Sequence, residues 1–120
     1  MSSHIAAIAI DAEQPGLIAR FWCDVLGWHI TEQHNSIVSI AAPDGVGPTI
    51  DVLAVPESKS VKNRIHLDLT ADSPSAAGEL ERLLALGARP TNVGQDADES
   101  WVVLSDPEGN EFCLLAVRSG

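Results

Sequence analysis

The chain has 120 residues and a mass of 12.7 kDa, the size of one ordinary domain and short for two independently stable cores. Seven Lys+Arg against 17 Asp+Glu give a formal net charge of -10. That argues against nucleic acid or an anionic membrane as partner, since both need a basic patch; it suits a neutral or cationic ligand, or simply solubility. An apolar fraction of 45% supports a packed core and excludes global disorder.

No stretch approaches the roughly 20 apolar residues of a membrane span. The first apolar run, Ile5 to Ile10, is short for a signal segment and lacks a basic flank. Cys23 and Cys113 lack metal-type spacing, lie in apolar segments and read as small buried hydrophobes. A reducing cytoplasm is the expected location.

In chain order, alternating residues predict a strand over 5–11. Pro15 suits the first helical position. Leu17, Ile18, Phe21, Trp22, Val25 and Leu26 form one stripe, and Gly27 stops the helix. Strands are expected over 28–31, 36–41 and 49–55, with a turn at Pro43-Asp44-Gly45. Lys59 to Asn63 reads as a polar linker. A strand over 64–70 follows, then a helix from Pro74 with Asp72 or Ser73 as cap. That helix carries Ala76, Ala77, Leu80, Leu83 and Leu84 and stops at Gly87. Gly78 inside it costs about 1 kcal/mol relative to Ala. Strands over 88–92, 101–105 and 111–117 complete the chain, with a turn at Pro107-Glu108-Gly109.

The order β-α-β-β-β thus occurs twice. The predicted class is α+β: a single domain over 1–120 made of module 1 (about 4–58) and module 2 (about 62–118). The copies align on Pro15 with Pro74, Leu26-Gly27 with Leu86-Gly87, and Leu53-Ala54-Val55 with Leu115-Ala116-Val117. Counting from these marks pairs Ala7 with His66 and Thr49 with Glu111.

Side-chain alternation assigns faces. In 64–70, Ile65, Leu67 and Leu69 should meet a helix, leaving His66, Asp68 and Thr70 on the other face. In 111–117, Phe112, Leu114 and Ala116 should meet the helix, leaving Glu111, Cys113 and Leu115 opposite. Module 1 offers Ile5, Ala7 and Ala9, then Thr49, Asp51 and Leu53, on the corresponding faces. A His and a carboxylate on one face fit two metal ligands for Zn, Fe, Mn or Ni, an acid–base pair, or a hydrogen-bonded pair that only holds the sheet. A metal wants three or four protein ligands, and Asp51 is the candidate third.

The runs Phe21-Trp22 to Leu26-Gly27-Trp28, Asn63-Arg64-Ile65-His66-Leu67-Asp68-Leu69 and Asp106-Pro107-Glu108-Gly109-Asn110-Glu111-Phe112-Cys113 resemble the vicinal oxygen chelate superfamily, which contains glyoxalase I, bleomycin-resistance proteins and extradiol dioxygenases. Small bacterial glyoxalase-like proteins are the nearest likeness, over nearly the whole chain. The resemblance implies paired βαβββ modules curling around a barrel-like cavity, and a homodimer. Metal-dependent members place one ligand on the first and one on the last strand of each module. The carry-over gives His66 and Glu111 in module 2, but Ala7 and Thr49 in module 1, neither of them an ordinary ligand.

Trp28 and Trp101 are candidates to stack on a flat or cationic ligand or to pack as core, and Trp22 reads as core. His29 and His34 read as solvated, and the acidic stretch 94–100 as a loop without calcium-loop spacing. Three functional readings compete. One is a divalent-metal-assisted lyase, isomerase or dioxygenase-type enzyme, with His66, Glu111 and Asp51 as ligands. Another is a metal-free binding or sequestering protein of the bleomycin-resistance type, with Asp68, Trp101, Trp28, Ala7 and Thr49 against a small molecule. The third is a metal-free enzyme with His66 as base and Glu111 or Asp68 as its partner.

Overall fold

Pro15 starts the first helix and Gly27 ends it, and the first module is built on what lies between. A computed structural model describes residues 1–72, 76–91 and 101–115. Helix α1 spans Pro15–Leu26 and buries Ile18, Ala19, Phe21, Trp22 and Val25. Gly27 takes φ 69, and its N–H donates to the Cys23 carbonyl at 2.8 Å, the left-handed cap that glycine adopts without a Cβ clash. Trp22 is 2% exposed and meets Phe21 edge-on at 5.2 Å. It is core, as predicted. Leu17, assigned to the buried stripe, is exposed, and Cys23 is half-buried rather than buried.

Strands β1 (Ala7–Ala12), β2 (His29–Gln33), β3 (Ile37–Ala41) and β4 (Thr49–Ala54) form a sheet in the order β1-β4-β3-β2. Its β1–β4 pair is parallel and the other two pairs are antiparallel. Ile50 and Val52 of β4 are buried, while Thr49, Asp51 and Leu53 are half-buried on the opposite face. The boundaries shift for hydrogen-bonding reasons. β1 begins two residues later than predicted because its partner strand starts only at Thr49, after Pro48, which has no N–H. β2 begins one residue later because the Trp28 N–H already donates to the Cys23 carbonyl at 3.1 Å. It continues to Gln33 through a register shift between Ile30 and Glu32.

Module 2 repeats the order with β5 (Asp68–Thr70), α2 (Ala76–Leu86), β6 (Arg89–Pro90), β7 (Trp101–Ser105) and β8 (Glu111–Leu115), in the sheet order β5-β8-β7-β6. Parallel β5–β8 pairing sets Asp68 beside Cys113. Helix α2 packs on β8, and Leu83, Phe112 and Leu114 are each buried. β6 starts after Ala88, whose N–H is taken by the Leu83 carbonyl at 3.0 Å. The predicted helix start at Pro74, the acidic stretch 94–100 and the strand end at 116–117 lie outside the described residues.

The largest departure is at β5. The sequence predicts a strand over 64–70, but the strand begins at Asp68. The Cys113 N–H donates to the Leu67 carbonyl at 2.9 Å, and before that point the chain bends. Ile65, expected under a helix, is 84% exposed. The cause lies upstream. The chain divides into two compact units, Met1–Ser58 and Lys59–Gly120, so residues 59–63 belong to the second unit and not to a linker. Lys59 and Asn63 bind the Glu111 side chain at the start of β8, and the segment leaving Asn63 turns instead of extending along β8.

The β7–β8 turn explains why the Asp-Pro-Glu-Gly-Asn run is written as it is. Asp106 is 1% exposed. Its Oδ1 accepts the N–H groups of Glu108 at 2.9 Å and Asn110 at 3.0 Å, and its Oδ2 accepts the Asn110 side-chain amide at 3.0 Å. Gly109 sits at φ 92 and donates to the Asp106 carbonyl at 2.9 Å. The module 1 turn has the same Gly45-to-Ala42 bond at 2.9 Å with Ala42 where Asp106 stands. Gly109→Ala is expected to destabilise by about 1–2 kcal/mol, because only the backbone conformation opposes it; urea unfolding at fixed m-value checks this.

Candidate functional site

Glu111 opens β8, straight after the Asp106 turn. Its Oε1 accepts the Lys59 ammonium at 2.6 Å, and its Oε2 accepts the Asn63 backbone N–H at 2.8 Å. The Lys59 and Glu111 side chains are 18% and 9% exposed. Lys59 also donates to the Val61 carbonyl at 2.7 Å, which fixes the ammonium over the carboxylate. Burial pushes the Glu111 carboxyl up, but the Lys59 bond, the backbone N–H bonds and the Lys59 charge outweigh it and hold the group below its ordinary value. Both carboxylate oxygens are therefore engaged, and a resident cation occupies the position a metal ion on Glu111 needs. With Glu111 held this way, a metal ion on a His66–Glu111 pair would meet the Lys59 ammonium at close range.

His66 instead meets Asp68 and Cys113. His66 Nδ1 lies 3.6 Å from Asp68 Oδ1, with both side chains substantially exposed. The Cys113 thiol is buried, with the Asp68 carboxylate beside it. Burial, then the neighbouring Asp68 carboxylate, push the thiol above its ordinary value, and Lys62 opposes them. One ligand-type atom from each of His66, Asp68 and Cys113 lies within 4.8 Å of the other two. Parity placed these three on one face. Sequence reasoning passed over Cys113 as a core thiol. The signal was available, since it stands two residues after Glu111 and so shares its face.

Module 1 carries no comparable group at the matching positions. Ala7 and Thr49 are register partners across β1–β4, and Asp51 pairs with Ala9. Ser39 Oγ donates to Asp51 Oδ1 at 2.8 Å, so the polar face of β4 is tied within its own sheet. Trp28 is half-buried just after α1. Trp101 stands in β7, its side chain lying outside the described part. His29 and His34 are exposed, and His34 lies 3.7 Å from Glu32.

Two βαβββ modules in tandem, with a parallel first-to-last strand pair in each, define the architecture of the vicinal oxygen chelate superfamily. The sequence profile described as glyoxalase-like domain matches residues 7–115, and the chain belongs to that family. No curated protein matches it. Among solved structures it is similar to a glyoxalase/bleomycin resistance protein/dioxygenase family enzyme from Burkholderia phytofirmans PsJN, at 17% identity and TM-score 0.74 over 97% of this chain and 100% of that one. A glyoxalase-related enzyme from Fulvimarina pelagi gives 18% and 0.72 over 96% and 88%. The genomically encoded fosfomycin resistance protein FosX from Listeria monocytogenes gives 15% and 0.74 over 98% and 94%. At these identities the likeness carries the fold. No helix among the described residues is long and apolar enough to cross a membrane.

Proposed function

We propose that the chain is a binding or sequestering protein for a small organic molecule, working on the His66–Asp68–Cys113 face of module 2 without a metal ion on Glu111. One observation carries this reading: the Lys59 ammonium sits on Glu111 at 2.6 Å. The net charge of -10 and the exposed Asp68 carboxylate favour a neutral or cationic ligand. His66 and Asp68 supply the polar contacts. The Ala7, Thr49 and Asp51 face is the module 1 counterpart, with Trp28 proposed as the stacking group of module 1 and Trp101 as that of module 2. The family likeness favours a homodimer, and two free cysteines favour a reducing cytoplasm.

A thermal-shift screen of flat and cationic compounds with EDTA present tests the function. The expected result is a stabilising compound whose effect falls at least tenfold in apparent affinity in His66→Ala and in Asp68→Ala. Stabilisation that appears only with an added divalent ion, and disappears in Glu111→Gln, overturns it.

A further inference from the structure

We propose that His66, Asp68 and Cys113 form a binding site for a thiophilic divalent ion of the Zn(II) type, displaced two residues along β8 from the Glu111 position. The inference rests on the reading of this face as the working site: the ion occupies it in the ligand-free chain, and its removal by EDTA leaves His66 and Asp68 to an organic ligand.

Three chemically different ligands converge here: an imidazole nitrogen, a carboxylate oxygen and a thiol sulfur, mutually within 4.8 Å. A tetrahedral zinc with its usual bond lengths sets ligand atoms roughly 3.3–3.8 Å apart. Side-chain rotation covers that difference, and the backbone shows which side chain does the rotating. Asp68 and Cys113 are register partners in adjacent parallel strands, and the Cys113 backbone is pinned by its bond to the Leu67 carbonyl. They form the fixed pair. His66 lies before the strand begins, with its side chain 39% exposed, and is the ligand free to swing in.

Charge and hardness agree. Thiolate plus carboxylate offset a divalent ion, and neutral imidazole completes a borderline-soft set that selects Zn over Mg or Ca. Binding transfers the Cys113 proton to solvent as the sulfur–metal bond forms. Three protein ligands leave a fourth position open, the arrangement in which an ion holds an exchangeable water or a ligand atom. Glu111 takes no part, since Lys59 and Asn63 already hold it. The bend at 64–65, which shortened β5, is what leaves His66 outside the ladder and able to reach Cys113.

Titrating the full, reduced chain with Co(II) under anaerobic conditions tests the site. The expected result is one ion per chain, with thiolate-to-cobalt charge-transfer absorption and the visible bands of a four-coordinate ion, all displaced by Zn(II). Cys113→Ser is expected to abolish the charge-transfer band. His66→Ala and Asp68→Ala are expected to weaken binding at least tenfold, and Cys23→Ser and Glu111→Gln to leave it unchanged. A second measurement does not depend on the folding of a Cys113 variant: in Cys23→Ser protein, Zn(II) is expected to slow alkylation of Cys113 at least tenfold. No charge-transfer band in the parent chain, a band that survives Cys113→Ser, or alkylation indifferent to Zn(II) overturns the proposal. The functional reading fails separately, because its screen is run with EDTA and reads ligand binding alone.

Discussion

Replacing Lys59 by Met is expected to destabilise the protein by about 3 kcal/mol at pH 7, the cost of leaving a largely buried carboxylate without its cation. Glu111 then keeps only its backbone N–H partners in a site 9% exposed. The pH dependence carries a sign. In the parent chain the Glu111 carboxyl is held below its ordinary value of 4.5. The pair therefore contributes stability that is fully present above that value and lost as pH falls through the lower folded pKa. The deficit of Lys59→Met should accordingly shrink toward zero in acid, where Glu111 is protonated and has no charge to neutralise. Adding Glu111→Gln to Lys59→Met should recover most of the loss at neutral pH, giving a coupling energy well above the 0.5 kcal/mol scatter of independent sites. Urea unfolding of the four proteins of this cycle at neutral and acid pH measures it. A Lys59→Met deficit under 0.5 kcal/mol at pH 7 would show that the ammonium is not the partner on which Glu111 depends, and would reopen Glu111 to a metal ion.

That pair marks the boundary of what one sequence reveals. Pro15, Gly27 and Gly87 punctuate the two helices through local chemistry, a missing N–H and a backbone freed of Cβ, and local chemistry is readable without a partner. The repeated turns and the alternation of Ile50 and Val52 against Thr49 and Asp51 are legible for the same reason. Counting between such marks matched Ala7 to His66 and Thr49 to Glu111 across the two copies, while the register that sets Ala7 beside Thr49 within module 1 had no local mark. Strand ends were less legible, because they are set by who is already bonded: Trp28 and Ala88 give their N–H groups to the helix ends, and nothing in their identity says so.

The site was legible in its ingredients and not in its connections. His66, Asp68 and Glu111 could be placed on one face by parity alone. Whether Glu111 joins His66 depends on a lysine 52 positions upstream, in a stretch whose composition is that of a linker. A long-range ion pair has no periodicity and leaves no local mark. Cys113 shows the converse: its apolar neighbours Phe112 and Leu114 suggest core, and it is buried as expected, while its sulfur also lies beside the exposed His66 and Asp68.

Asp106→Ala is expected to cost about 3 kcal/mol, comparable to the loss of Lys59, because one buried carboxylate satisfies three donors. The Glu108 and Asn110 N–H groups point inward at the turn, and water cannot readily replace an acceptor that is 1% exposed. Asp106→Asn separates charge from geometry. Its carbonyl oxygen can still accept both backbone N–H groups, while its amide nitrogen faces the Asn110 amide, which must turn over to present oxygen. A loss of about 1 kcal/mol is expected there. The consequence reaches the site, since this turn delivers the first residue of β8. Ser105 pairs with Glu111 across it, and two residues on Cys113 pairs with Asp68. Loosening the turn should raise the amide exchange rates of residues 111–113 before those of module 1, and hydrogen exchange resolved by residue reads this directly. Equal acceleration in both modules, or an Asp106→Ala loss below 0.5 kcal/mol, would mean that the turn is a passive connection and that the strand pairing alone sets where Glu111 and Cys113 stand.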